Sequence, residues 1–266
     1  MEPPPEPPPD RHPEVRYETV DGVAVLTLDA PSRRNALTVE MAHELVAAVE
    51  RAEADAEVGA LVVTGGAHFC AGADRAVLAA AGADPVRDDH YVALGAVYDA
   101  FTRVGTVGLP TIAAVRGAAV GAGLNLALAT DLRLVSHTAR LLPGFVQAGW
   151  RAGEKAPRGI HPGGGHFTLL QRAGGRETAA AMGLFAEEVD GDRAVALGVA
   201  WAAYDDEVVL GSALALAGRV ARDPQLARRM VASFRRETAS GGLPWEVAVE
   251  LERSPQMWSL RRRHDA

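Results

Sequence analysis

The sequence predicts an α/β fold in which strand, turn and helix recur, followed by a helical C-terminal region. Three observations predict it. Two β-like apolar runs, Ala60-Leu61-Val62-Val63 and Thr111-Ile112-Ala113-Ala114-Val115, each lead into a glycine-rich turn and then an alanine-rich helical stretch. The turns are His68-Phe69-Cys70-Ala71-Gly72-Ala73-Asp74 and Gly117-Ala118-Ala119-Val120-Gly121-Ala122-Gly123-Leu124-Asn125. From about Val208 the pattern is helices with short breaks. The loose repetition suggests stacked ββα units, although it is too weak to count as a sequence repeat.

The N-terminal Met1-Glu2-Pro3-Pro4-Pro5-Glu6-Pro7-Pro8-Pro9-Asp10 can neither form a helix nor pair as a strand, so residues 1–14 are expected to be an extended or disordered tail. A core over 15–207 and a helical subdomain over 208–266 follow. Tyr17-Glu18-Thr19-Val20 and Val23-Ala24-Val25-Leu26-Thr27-Leu28, joined by Asp21-Gly22, read as a hairpin. After a loop from Pro31 to Leu37, Thr38 offers an N-cap, and Met41, Leu45, Val49 and Ala52 line one face of a helix to about Ala54. The stretch after the first glycine turn reads as a mobile loop with partial helix to Asp89. Tyr91, Leu94, Tyr98 and Phe101 then mark an amphipathic helix. Asp131 to Ser136 reads as a strand. Helices are predicted from Val209 to Ala221, Pro224 to Arg236 and Pro244 to Glu252, with the prolines suited to first-turn positions.

Composition narrows the class of function. The 266 residues are 48% hydrophobic and 23% charged, enough to bury a sizeable core. The net charge of −7 leaves no general basic surface for nucleic acid or anionic lipid, so phosphate recognition would need a local cluster. Cys70 is the only cysteine, which excludes an internal disulfide. The N-terminus lacks the basic start and apolar stretch of a secretory signal, and no run spans a bilayer, so a cytoplasmic location is expected.

The two turns share a physical property. Their side chains are small, so a ligand can approach the backbone, and N–H groups at a helix start have no partner within the helix. Two such turns facing one point would hold an oxyanion. A nucleotide phosphate loop is the other reading of Gly117 to Gly123, but the glycine order and the acidic residue of a dinucleotide site are missing.

Pro31-Ser32-Arg33-Arg34-Asn35-Ala36-Leu37, Phe69 to Asp74, Ala114-Val115-Arg116-Gly117 through Gly123, and Asp131-Leu132-Arg133-Leu134 occur in an order and spacing that resembles the enoyl-CoA hydratase/isomerase (crotonase) superfamily. The resemblance covers about Val15 to Asp205 and, more loosely, the C-terminal helices. It implies a crotonase-like spiral of ββα units with a helical trimerisation region, a homotrimer or hexamer, and an acyl-CoA thioester as ligand. Coenzyme A would enter as part of the substrate, with no separate cofactor and no metal. The thioester oxygen would sit between the N–H groups of Ala73 and Ala122. Arg33, Arg34, Ala36, Ala71, Gly72, Ala73 and Gly121 would contact the CoA thioester, the arginines through its phosphates. Two preorganised N–H donors suit an enolate-like transition state, each worth roughly 3 kcal/mol.

The departures are as informative. Hydratases of the family carry two glutamates that activate and deliver water. Here the first maps to Asn125 and the second to Phe145, or to Gly144 if the loop shifts by one. An amide can orient water or substrate but cannot take a proton as a carboxylate does. An apparent insertion from Trp150 to Gly159 carries Arg151, Glu154, Lys155 and Arg158, and Glu154 is the candidate replacement base, against the plainer reading of a solvated loop charge. His161 is the second candidate. His161 and His166 flank Gly163-Gly164-Gly165, where a turn with backbone-bonding histidines is the plainer reading, and they make no metal signature. Asp74 reads as a helix cap, Cys70 as a small packing residue, His90 as a solvated helix start and Arg261-Arg262-Arg263 as a basic tail. An acyl-CoA enzyme is therefore expected, with hydration, isomerisation or another enolate-type step. A carrier or sensor that kept the pocket is the alternative from another class, and a non-catalytic subunit of a mixed oligomer is a third.

Overall fold

Asp21 and Gly22 both take positive φ, 49° and 77°, and close a two-residue turn between antiparallel β1 (Val15–Val20) and β2 (Val23–Leu28), with Val20 opposite Val23. The computed structural model describes residues 12–147, 159–239 and 242–264. Glu14, assigned by sequence to the tail, belongs to the fold: the N–H groups of Glu14 and Val15 donate to Glu44 Oε2 at 2.6 and 3.0 Å.

In α1 (Val39–Ala54), Thr38 Oγ1 accepts from Met41 N at 3.1 Å, and Met41, Ala42, Leu45, Val49 and Ala52 are buried as the helical spacing predicts. The following elements are β3 (Ala60–Gly65), α2 (Arg75–Ala83), α3 (Asp88–Thr106), β4 (Thr111–Val115), β5 (Ala118–Val120), α4 (Ala122–Ala129), β6 (Leu132–Ser136) and β7 (Arg140–Leu142). Then come α5 (His166–Gly183), β8 (Val189–Asp190), α6 (Gly191–Ala196), β9 (Ala202–Tyr204), α7 (Val209–Ala221), α8 (Pro224–Glu237) and α9 (Trp245–His264). One sheet has the order β1-β2-β3-β4-β6-β9, parallel except for β1, and a smaller one has the order β5-β7-β8. From β4 to β9 the chain passes back and forth between the sheets, with β7 and β8 consecutive in the smaller one, and advances along the larger one, which makes a spiral of ββα units.

Both faces of the larger sheet are covered. On one side α1, α3 and α4 close a core of Leu26, Leu45, Leu61, Val63, Leu124 and their neighbours. On the other, Val209, Ala213, Ala217 and Ala221 of α7 pack on Val23, Val25, Val62, Ile112 and Leu134. This explains why β3 and β4 are continuous apolar runs rather than alternating ones. The helical region that sequence starts at 208 thus begins with a helix that forms part of the sheet core. Arg235 ties α8 to the same body through Asp131 (Nη2 to Oδ2, 2.9 Å) and the carbonyls of Val107 and Leu109.

Three expectations are corrected. The second glycine turn contains a strand, β5, because Ala118 to Val120 pair with β7 and bridge Cys70. The buried face of α3 is Ala96, Val97, Ala100, Phe101 and Val104, whereas Tyr91 is 79% exposed, since it is the later turns that pack on α1 and α4. And α9 runs beyond Glu252 to His264, through Pro255.

Candidate active site

The first wall is built by a buried amide. Asn35, 3% exposed with φ 58°, accepts at Oδ1 from Ala30 N (2.8 Å) and donates from Nδ2 to the carbonyls of His68 (2.9 Å) and Phe69 (3.2 Å). It staples the loop after β2 to the turn after β3. Ala71 N donates to Arg34 O, and Leu37 bridges Ala73 in parallel, with Leu37 N bonded to Gly72 O (2.7 Å) and Asp74 N to Leu37 O (2.9 Å). A residue so bridged directs its own N–H away from the partner strand. The Ala73 N–H therefore points out of the pairing, and it finds no acceptor among the described residues.

The second turn lies against the first. Cys70 bridges Ala119, with Cys70 N bonded to Ala118 O and Val120 N to Cys70 O. Gly121 N is engaged by Leu142 O, and Gly121, at φ 52°, swings the chain into α4. Ala122 is the first helical residue, so its N–H has no partner in the helix and none among the described residues. Gly72 has φ 96°, and a Cβ there would lie 2.7 Å from Val120 O and 3.6 Å from Ala122 N. Only glycine lets the two turns sit this close. The residues that carry the two amides are thus adjacent in space.

One turn along α4, Asn125 is 1% exposed and both ends of its amide are engaged. Nδ2 donates to Gly163 O at 3.0 Å, and Oδ1 lies 2.7 Å from His166 Nδ1. Asn125 is the one polar side chain in the apolar helix Ala122 to Ala129, which is the sequence signal that it needs a buried partner. The glycine run supplies that partner. A Cβ on Gly163 would strike the Tyr98 hydroxyl at 2.2 Å and one on Gly164 the Phe101 ring at 2.4 Å, so glycine lets the backbone cross α3 and place His166 on Asn125. His166 is 2% exposed, burial pushes its imidazole down to about 4, and its Nε2 has no hydrogen-bond partner among the described residues. Phe145 packs edge-on against it, with ring centroids 4.8 Å apart, and the same ring lies 3.8 Å from a Cβ built on Gly121.

The other expected residues are distributed differently. Arg33 binds the Glu14 carboxylate through both Nη atoms (3.0 and 2.5 Å), the Ala36 carbonyl through Nε (2.9 Å) and Met41 Sδ through Nη2 (3.7 Å), which occupies four of its five N–H donors within the fold. Arg34 is exposed, and Ala36 and Ala71 line the two stapled loops. His161 is exposed, and its Nδ1 lies 2.6 Å from the carbonyl of Pro162. The sequence reading singled out His161 of the two histidines, but it is His166 that the glycine run buries beside Asn125. Glu154 lies outside the described residues. Asp74 caps α2 through Ala76 N (2.8 Å), His90 bonds to the carbonyl of Asp84, and the Cys70 thiol is buried, donates to Asn35 O, and is pushed up to about 12.

The model of the enoyl-CoA hydratase/isomerase family matches residues 18–257, almost the whole described chain. The chain belongs to that family. A protein described as a probable enoyl-CoA hydratase from Mycobacterium tuberculosis is 42% identical over 243 residues, 90% of this chain and 89% of its own. The crystal structure of an enoyl-CoA hydratase from Polaromonas sp. JS666 matches with a TM-score of 0.80 and 26% identity, covering 92% of this chain and 91% of that one. A Thermobifida fusca structure, titled a putative enoyl-CoA hydratase in complex with CoA, matches with a TM-score of 0.76 and 25% identity over 96% and 95% of the chains. The structure brings the side chains of Asn125 and Phe145 to His166. Among the described residues no helix is long and apolar enough to cross a membrane.

Proposed function

We propose that this family member binds an acyl-CoA thioester and acts on it through an enolate whose oxygen is held by the N–H groups of Ala73 and Ala122. The observation that carries this reading is the pair of N–H groups without acceptors among the described residues, on turns in backbone contact. Charge that develops on the thioester oxygen meets donors already in place, so no reorganisation opposes the reaction. CoA enters as part of the substrate, and no other cofactor is needed. Hydration of a 2-enoyl thioester is the lead reaction, in line with the hydratase names of the relatives. Exposed Met230, Phe234, Val247, Met257 and Leu260 on α8 and α9 offer the apolar surface for assembly into a trimer or hexamer.

The test is calorimetric titration with a saturated acyl-CoA and with the matching S-alkyl-CoA, which lacks the carbonyl. The thioester should bind about tenfold or more tightly, the difference of about one hydrogen bond to a buried donor. Equal affinities would remove the two amides from the reading. The competing reading, a carrier without catalysis, is favoured by one observation: positions 125 and 145 hold no ionisable side chain. Binding without conversion of any 2-enoyl, 3-enoyl or β-hydroxyacyl thioester would support it.

A further inference from the structure

We propose that His166 is the acid–base residue of this site, with Nε2 as the atom that takes and returns the proton and Asn125 as the residue that positions it. The inference rests on the acyl-CoA reading above. Its first support is the tautomer. The Gly163 carbonyl can only accept, so the Asn125 amide nitrogen must face it at 3.0 Å and Oδ1 must face His166. Oδ1 can only accept as well. Nδ1 therefore carries the hydrogen, and Nε2 is left with a bare lone pair.

The second support is that Nε2 is a buried acceptor with nothing to accept from among the described residues. A buried acceptor in that condition is costly, and a ligand hydrogen that meets it recovers the cost. Other histidines in polar contact are occupied and accessible: His137 Nδ1 sits 2.6 Å from Asp192 Oδ1 and His90 near the Asp84 carbonyl.

The third support is position. Helical side chains three apart share a face and lean toward the N-terminus, so Asn125 leans toward the turn that begins with the Ala122 N–H. The Phe145 ring packs on His166 and faces Gly121 of that turn, 3.8 Å from where a Cβ on Gly121 would lie. His166 thus stands beside the place where the thioester oxygen would bind. Phe145 is half-buried and Nε2 is closed to water, so the acyl group must displace a neighbouring group to reach Nε2. Burial also gives the imidazole a proton affinity near that of a carboxylate, since its pKa falls to about 4. It is a free base at neutral pH.

In hydration Nε2 takes a proton from water and the water oxygen bonds to Cβ. The C=C electron pair shifts and leaves negative charge on the thioester oxygen. The imidazolium then returns its proton to Cα as that charge collapses, so one water is added and the residue is restored.

The experiment is exchange of the Cα protons of butyryl-CoA with D2O, alongside calorimetric binding of the same thioester. His166→Gln should lower exchange about 10²–10⁴-fold and leave affinity within about threefold. Imidazole added to His166→Gly should restore exchange in proportion to its free base. If the wild-type protein does not bind butyryl-CoA, the thioester reading fails and this proposal with it. If it binds and the His166→Gln rate is within tenfold of wild type, or the wild type binds without exchange, only the His166 assignment falls. Should neither variant fold, ¹⁵N spectra of the wild-type protein decide. A bare Nε2 and a protonated Nδ1 at neutral pH support the proposal, and a protonated Nε2 overturns it.

Discussion

Acid should destabilise this protein through His166 more than through an ordinary histidine, and the size of the effect follows from its burial. The ordinary imidazole value is 6.5 and burial lowers it to about 4 in the folded chain. Between these values the unfolded chain binds a proton that the folded chain refuses. Unfolding free energy therefore falls as pH drops below 6.5, and the loss levels off below about 4. The difference of about 2.5 units, at 1.36 kcal/mol per unit, is on the order of 3 kcal/mol. Tyr98, the titratable side chain against the same glycine run, is pushed up by burial and stays protonated throughout this range. The assay is urea denaturation of wild type and His166→Phe near pH 7 and near pH 4. The substitution itself leaves Asn125 Oδ1 unpaired, a loss of about 1–3 kcal/mol that does not depend on pH. Glu53 and Asp223, whose pKa values are lowered, also weaken in acid, but equally in both proteins. Wild type should lose on the order of 3 kcal/mol more than the variant across the interval. Stability curves that run parallel within about 0.5 kcal/mol would mean that His166 is solvated or charged in the fold, and the reasoning from its burial would fail.

Asn125→Asp puts a carboxylate against His166 and should raise the imidazole pKa by a unit or more, read from its ¹H–¹⁵N shifts; an unmoved titration would contradict the 2.7 Å contact. Gly72→Ala forces a side chain into φ 96° and to 2.7 Å from Val120 O, and should cost about 2 kcal/mol or more in denaturant. Gly95→Ala, inside α3 with nothing within 4 Å, should instead gain about 0.5–1 kcal/mol, and equal effects at the two positions would refute the turn geometry. Iodoacetamide should label Cys70 only as fast as the chain opens, since burial pushes its thiol up to about 12; labelling that does not accelerate with urea would place the thiol at the surface.

Much of the architecture was legible from local chemistry. Asp21-Gly22 specifies its hairpin because both residues tolerate positive φ, and Thr38 with its apolar spacing specifies α1, since both signals act within a few residues. The glycine turns were legible because close backbone approach excludes side chains. The first turns of α3 are less legible: Tyr91 has the helical period of a buried position, but the packing on α1 and α4 is made by the later turns and leaves it exposed. The strand inside 117–123 was missed because its partners, Cys70 and β7, are remote in sequence.

The sequence by itself determined the family, the spiral and the two small-residue corners, because those depend on order, spacing and side-chain size. It did not determine which polar residue completes the site. Asn125 lies far from His166 along the chain, and only the crossing of Gly163 and Gly164 over Tyr98 and Phe101 brings them to 2.7 Å. Partner choice, burial and the bare nitrogen that results are properties of that crossing. They arise from tertiary desolvation and hydrogen-bond geometry, which no local pattern encodes.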